Sequence, residues 1–322
     1  MVNQSLLDDF DELFPQEKVK WDDVVIKDKL GEGGQAPVFK CEYNNSNYAV
    51  KFYDVRKCCK RNSWSIEEFL KSMENELRIG RKVKKTISLM KTYGYTYKKI
   101  NGSLQFMILM ELLVCSGDLS KYIADEKWWI KCYMCDGKLK PIPITQYVYY
   151  NKDEDIHWCY KMPLKHKIQI VCSLIKSVKE LHSKGIIHCD IKTENIVLHY
   201  GPNRQVIKLI DFDNSCIVDG DFEYESSPAT MGYCSPEQHN YRVSDKSDIY
   251  SLGVVITEVW NGEIWYDGES YEECLKEVKN GIKKIEETHQ TFGKLIRKCL
   301  SEDEDTRPYA DKLLNDIYKI KF

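Results

Sequence analysis

The sequence predicts a mixed α+β fold with a strand-rich first part and a larger, mostly helical second part. Three observations predict it. Between Val24 and Tyr53 apolar residues fall in short runs separated by turn residues. From Ser65 to Lys82 they change to a helical period. From about residue 163 onward, long helical faces dominate. A chain of 322 residues is about right for one large domain of two lobes.

The elements follow in order. Residues 1–20 form an extension whose stretch Leu6-Leu7-Asp8-Asp9-Phe10-Asp11-Glu12-Leu13-Phe14 is acidic, with apolar residues at near-helical spacing. It reads as a helix packed on the domain's own surface, or else as a docking or targeting segment. Val24–Ile26 is a strand leading into a glycine loop. Val38–Tyr43 and Tyr48–Tyr53 form a hairpin about the turn Asn44-Asn45-Ser46-Asn47. Ile66, Phe69, Leu70, Met73 and Leu77 mark a helix, and Tyr93–Tyr97 and Leu104–Met110 are two further strands. A long helix starts near Pro163, a residue suited to a first turn. Short strands at Ile196–Leu198 and Val206–Ile210 precede helices at Asp245–Trp260, Tyr271–Lys284, Thr291–Leu300 and Ala310–Ile320. Residues 126–161 fit neither period.

Composition narrows the function classes. Hydrophobic residues make up 43% and charged residues 30%, ordinary values for a folded chain. A net charge of -3 argues against nucleic acid as the main partner, because phosphate backbones demand a basic surface. The 13 cysteines are odd in number and scattered, and no apolar signal segment opens the chain. Free thiols in a reducing compartment are expected, with the cytoplasm as the location and the nucleus as the alternative. No run approaches the roughly 20 apolar residues that span a bilayer. Nothing in the sequence sets an oligomeric state.

Chemistry concentrates in a few places. Gly31-Glu32-Gly33-Gly34-Gln35-Ala36-Pro37-Val38 lies between two strands, where glycines let backbone N–H groups approach phosphates. Glycine-rich hairpin turns are common, so this run alone is weak evidence. Lys51 follows in Ala49-Val50-Lys51; it is either an outward-facing surface lysine or a buried one that needs a partner. Glu76, on the next helix, is the candidate partner. The strongest signal is His188-Cys189-Asp190-Ile191-Lys192-Thr193-Glu194-Asn195, followed by Asp211-Phe212-Asp213. An aspartate can orient an attacking hydroxyl and accept its proton. An asparagine and a second aspartate can offer oxygen ligands to Mg²⁺.

Together these residues resemble the eukaryotic protein kinase family, serine/threonine branch. The resemblance runs from Leu30 to Arg307 in family order. It includes Met231–Glu237, Ser247–Gly253 and Asp305-Thr306-Arg307-Pro308. It implies a two-lobed kinase-like fold over residues 21–322. The small lobe would cover about 21–110, the large lobe about 111–322, and an insertion about 126–161. The resemblance also implies roles. Gly31, Gly33 and Ala36 would cover the phosphates, Val38 and Ala49 would lie above the adenine ring and Val197 below it, and Leu30 would also bind the nucleotide. Met110 would stand at the back of the pocket, with Glu111 and Leu113 offering backbone hydrogen bonds. Lys51 would bind the α- and β-phosphates and be held by Glu76. Asp190 would be the base, with Lys192 and Thr230 completing the site. Asn195 and Asp211 would bind Mg²⁺, or Mn²⁺. Glu237 and Arg307 would form a structural ion pair. The co-substrate would be ATP and the partners protein substrates.

The chain departs from the pattern at three positions. Ala36 replaces the third glycine of the loop, Cys189 the arginine of H-R-D, and Asp213 the glycine of D-F-G. Cysteine cannot make the arginine's charge-assisted pair with a phosphorylated loop, so activity is expected not to depend on phosphorylation of Tyr224, Ser226 or Ser227. Asp213 is expected to add negative charge near the metals. These departures support a second reading, a pseudokinase acting as an ATP-binding or scaffolding module. Against it, Lys51, Glu76, Asp190, Asn195 and Asp211 are all present. A small-molecule kinase of similar fold is a third reading, opposed by the Tyr233–Glu237 segment. In the insertion, Cys132, Cys135, His157 and Cys159 are of zinc-ligand type. The spacing of the last two is tight for one ion, so reduced thiols rather than zinc are expected.

Overall fold

The computed structural model describes residues 4–33, 35–113, 115–124, 132–135, 138–141, 162, 164–200, 205–218, 224–225, 230–263 and 270–322. In chain order the elements begin with α1 (Gln4–Leu13), β1 (Val25–Glu32), β2 (Pro37–Tyr43) and β3 (Ser46–Asp54). Next come α2 (Val55–Asn62), α3 (Ile66–Val83), β4 (Thr92–Ile100), β5 (Ser103–Met110), β6 (Cys115–Asp118) and α4 (Leu119–Ala124). β7 (Cys132–Cys135), β8 (Lys138–Pro141), α5 (Leu164–His182), β9 (Ile186–Ile187), β10 (Ile196–Tyr200) and β11 (Gln205–Leu209) follow. Then come β12 (Cys216–Ile217), β13 (Tyr224–Glu225), α6 (Pro236–His239), β14 (Arg242–Val243) and α7 (Asp245–Asn261). The last helices are α8 (Tyr271–Thr288), α9 (Gln290–Cys299) and α10 (Ala310–Tyr318).

The chain divides into two units, Met1–Leu113 with Asp211–Ile217, and Val114–Ile210 with Val218–Phe322. The first unit is built on an antiparallel sheet of order β1-β2-β3-β5-β4. Its hairpins follow from their turn residues. Asn44 and Asn45 both take positive φ, as do Asn101 and Gly102, the backbone that two-residue turns between twisted strands demand. β1 continues through Gly31, further than the strand read from the sequence.

Alternation along the strands sorts side chains to two faces. Val50, Cys41, Met107 and Leu109 pack with Val24 on one. Ala49, Tyr53, Phe106, Ile108 and Met110 pack on the other, against Phe69, Leu70, Met73 and Leu77 of α3. Ser65 caps α3 by accepting from the Glu68 N–H, while the Glu68 carboxylate accepts from the Ser65 N–H. α1 enters the same core, burying Leu7 and Phe10, with Phe14 just beyond it. Full burial of each such side chain stabilises by about 2 kcal/mol. Of the two readings of the extension, the packed helix is the one observed. Arg81 of α3 reaches back to it, donating to both Glu17 carboxylate oxygens at 2.8 Å and to the Leu13 carbonyl at 3.0 Å.

α2 was not legible in the sequence. Asp54 caps it by accepting from the Lys57 N–H, and only Val55 and Cys58 are buried, too few to show a period. The β7–β8 hairpin lies in the insertion and was likewise not anticipated. His157 and Cys159 lie outside the described residues, as do Pro163, Ser226 and Ser227.

The second unit carries a small sheet of order β11-β10-β6 and five longer helices. α7 is buried on every side from Lys246 to Trp260, as its lack of a polar face requires, and Gly262 closes it in a left-handed conformation. Among the described residues no helix is long and apolar enough to cross a membrane, and no cysteine is in a disulfide.

Candidate active site

In the first unit the site is built on β3. Register places Val38 opposite Lys51 and Ala49 opposite Met110, so these four side chains share a sheet face. The glycine loop folds back on itself, with the Gly33 N–H donating to the Ala36 carbonyl at 3.0 Å. A methyl group on Gly33 would lie 2.7 Å from that oxygen, which explains glycine there. The Ala36 methyl, in place of the third glycine, is buried in the core behind the loop. Leu30 is exposed on β1, and Gly31 has open space where a side chain would be. Arg61 of α2 donates to the Gln35 carbonyl at 2.6 Å and ties the loop down. The Glu111 N–H donates to the Lys91 carbonyl at 2.9 Å and is thus engaged within the unit. Leu113 ends the unit and is half-buried.

Lys51 is buried and meets three carboxylates. Its Nζ lies 2.8 Å from Asp211 Oδ1, contacts Asp213 Oδ1 directly, and is 3.7 Å from Glu76 Oε1. The sequence reading paired Lys51 with Glu76 and left Asp213 near the metals; in the structure Asp213 sits on the lysine and Glu76 stands further off. Burial opposes the lysine's charge, but Asp211, Asp213 and Glu76 outweigh it and hold its pKa well above the ordinary value. Burial raises the Asp213 carboxyl well above its usual range, against the pull of Lys51. Burial likewise raises Glu76. Asp211 adopts a positive φ, and its carboxylate is the most accessible of the three.

In the second unit the loop before β10 gathers Asp190, Lys192, Asn195 and Thr230. Thr230 donates to Asp190 Oδ1 at 3.0 Å. Lys192 Nζ lies 3.0 Å from Asp190 Oδ2 and 2.7 Å from Thr230 Oγ1. Asn195 donates through Nδ2 to the Asp190 carbonyl at 2.9 Å and to Oδ2 at 3.1 Å, which leaves its amide oxygen for another ligand. Val197 follows on β10 and is buried.

A family model described as Protein kinase domain matches residues 24–319. The chain belongs to this family. This kinase domain is 29% identical over 246 residues to "Probable serine/threonine-protein kinase fnkE" of Dictyostelium discoideum, covering 74% of this chain and 17% of that one. It is 31% identical over 222 residues to "Serine/threonine-protein kinase CST20" of Candida albicans, covering 66% and 17%. It is 30% identical over 228 residues to "Serine/threonine-protein kinase STE20" of Debaryomyces hansenii, covering 66% and 20%. The chain thus spans a fifth or less of the length of these three relatives.

Two supporting residues of the kinase domain were missed in the sequence. Cys189 takes a positive φ, a strained conformation for a residue with a side chain. Asp248 of α7 holds it there by accepting from the His188 N–H at 2.8 Å and the Cys189 N–H at 3.0 Å. Gln238 of α6 donates to the Cys189 carbonyl at 2.6 Å from the other side. Cysteine is therefore accommodated by backbone bonds that need no arginine. Sequence showed Asp248 only as part of Ser247–Gly253, and with Asp245 in the same first turn no local signal singled it out. The expected Glu237–Arg307 pair is present and bidentate, at 2.6 and 2.8 Å.

Proposed function

We propose that this chain is an active protein kinase that transfers the γ-phosphoryl group of ATP to serine or threonine hydroxyls of protein substrates. The observation that carries the reading is the loading of Asp190. Thr230 donates to Oδ1, Lys192 and Asn195 to Oδ2, and Asn195 also holds the Asp190 carbonyl. A carboxylate held in this way is oriented to accept a hydroxyl proton as the nucleophile attacks. Lys192 then faces the phosphoryl group in transfer and offsets its charge. A lysine at that position fits the serine/threonine branch, as do the relatives' names.

Lys51, as a buried ammonium, suits the α- and β-phosphates. The Asp211 carboxylate and the Asn195 amide oxygen are hard oxygen donors and fit Mg²⁺ or Mn²⁺. When bound, such a cation neutralises phosphate charge. Zinc has no place in this reading. Reduced thiols fit the cytoplasm as the compartment.

The test is phosphate transfer from labelled ATP to a generic basic protein with Mg²⁺ or Mn²⁺, beside Asp190→Asn. Transfer should fall by roughly 10²–10⁴ in the variant, the usual contribution of a general base. Acid hydrolysis of the product should release phosphoserine or phosphothreonine. No transfer with either cation, despite ATP binding, would replace this reading with that of a binding module.

A further inference from the structure

We infer that Asp213, rather than Glu76, is the residue that positions Lys51 toward the nucleotide phosphates. The inference rests on the kinase reading for the identity of the ligand, and on the geometry of the first unit for the rest. Lys51 Nζ has three donors and three carboxylates around it. Asp213 touches it, Asp211 is at 2.8 Å, and Glu76 is at 3.7 Å, beyond hydrogen-bond length.

The three carboxylates differ in what they could do when a phosphate arrives. The side chain of Asp211 is 23% exposed, against 5% for both Asp213 and Glu76. Asp211 is therefore the partner an incoming ligand can displace. Of the two dry carboxylates that would remain, only Asp213 lies within hydrogen-bond length of Lys51. Glu76 Oε2 is buried with no hydrogen-bond partner among the described residues, and so is the Tyr53 hydroxyl. A buried carboxylate oxygen left unbonded is costly. It marks Glu76 as displaced from the lysine by the aspartate that stands where the family's motif has glycine. The backbone supports this. Asn75, beside Glu76 on α3, donates to the Ser215 carbonyl at 2.6 Å, and the Ser215 N–H donates to Phe212 O at 3.0 Å. The turn carrying Asp213 is thus fastened to α3 independently of the lysine.

Asp213 is a positioning residue here, acting on phosphate only through Lys51. The experiment compares affinities of the full chain for ADP with Mg²⁺ and for adenosine, by calorimetry. The proteins are unmodified, Lys51→Met, Asp213→Asn and Glu76→Gln. Lys51→Met sets the value without the lysine. Asp213→Asn should weaken ADP by about tenfold, close to Lys51→Met, and leave adenosine unchanged. Glu76→Gln should weaken ADP less. In the transfer assay the Asp213→Asn loss should appear in KM for ATP more than in kcat, the signature of lost binding that is uniform along the reaction. If Asp213→Asn loses adenosine binding as well, it has not folded, and Asp213→Gly takes its place.

Glu76→Gln weakening ADP more than the Asp213 variant overturns the inference. So does an Asp213 variant that binds ADP more tightly, since Asp213 would then be a competitor of phosphate. An unmodified protein that prefers ADP no more than Lys51→Met does would also overturn it. An unmodified protein that transfers no phosphate, yet keeps the expected order of ADP affinities, sinks the kinase reading and leaves Asp213 in its role.

Discussion

Replacing Arg307 by methionine should cost the second unit about 3 kcal/mol or more. The guanidinium is fully buried and donates to both Glu237 oxygens, to the Ser301 carbonyl at 2.9 Å and to the Lys246 carbonyl at 3.0 Å. Burial alone would raise the Glu237 carboxyl, but hydrogen bonds from Arg307, Ser235 and Ser247 outweigh it and bring it from its ordinary 4.5 to about 2. That drop corresponds to about 3 kcal/mol. Breaking a buried pair from one side costs about 3–5 kcal/mol by a separate line of measurement, so the two agree. Urea unfolding followed by tryptophan fluorescence reads the loss, and the melting temperature should fall by about 5 °C or more. The sign with pH is fixed. Glu237 is depressed in the folded state, so its contribution is fully present above about 4.5 and is lost as pH falls toward about 2. In Arg307→Met the same carboxyl is buried without its cation and protonates more readily. The gap between the two proteins should therefore narrow as the solution is acidified. The double change Arg307→Met with Glu237→Met should cost less than Arg307→Met alone. A single-variant loss below about 1 kcal/mol, or a double variant no better than the single, would refute the reasoning.

Other expectations follow from single features. Burial lowers His166 to about 4 from 6.5, so it contributes stability that is present above about 6.5 and lost as pH falls toward 4. His166→Gln should flatten the stability profile in that window, as read by melting temperature against pH. Gly293→Ala should destabilise by about 1–3 kcal/mol, because its methyl would lie 2.8 Å from the Glu286 backbone nitrogen on α8, which cannot swing away. Denaturant unfolding measures it. Iodoacetamide on the native protein should spare Cys41 and Cys299, whose thiols burial pushes up to about 11 and about 12. Peptide mass analysis after brief labelling checks this, with the unfolded protein as the reference.

Much of the site was legible because its chemistry fixes residue type and spacing. Asp190 and Asn195 can serve one loop only at a short separation, and the sequence shows it. The turn at Asn44-Asn45 was legible through residues that tolerate positive φ, whereas the one at Asn101-Gly102, of the same kind, is added by the structure. α3 was legible through its clean period, and the structure adds the Ser65–Glu68 capping box. What escaped was decided in three dimensions. Asp213 is one residue past Phe212, and nothing in its neighbours says that its carboxylate turns to Lys51 rather than to solvent. Asp248 and Gln238 act through the backbone of Cys189 from 59 and 49 residues away, so no local pattern records them. α2 escaped because an eight-residue helix with two buried positions has no measurable period.

The family match begins at residue 24, after α1, Phe14 and Glu17. An expression fragment trimmed to that boundary would strip the rings of Phe10 and Phe14 from Tyr95, whose centroid lies 5.0 and 6.4 Å away. It would uncover one side of Phe106, 5.7 Å from Phe10. The Tyr95 N–H and carbonyl would lose their bonds to Glu17 O and Val19 N. Such a fragment would present a fresh aromatic face and an open strand edge to its neighbours in solution, a surface prone to self-association. The boundary that sequence families share is here not the boundary at which the chain can be cut.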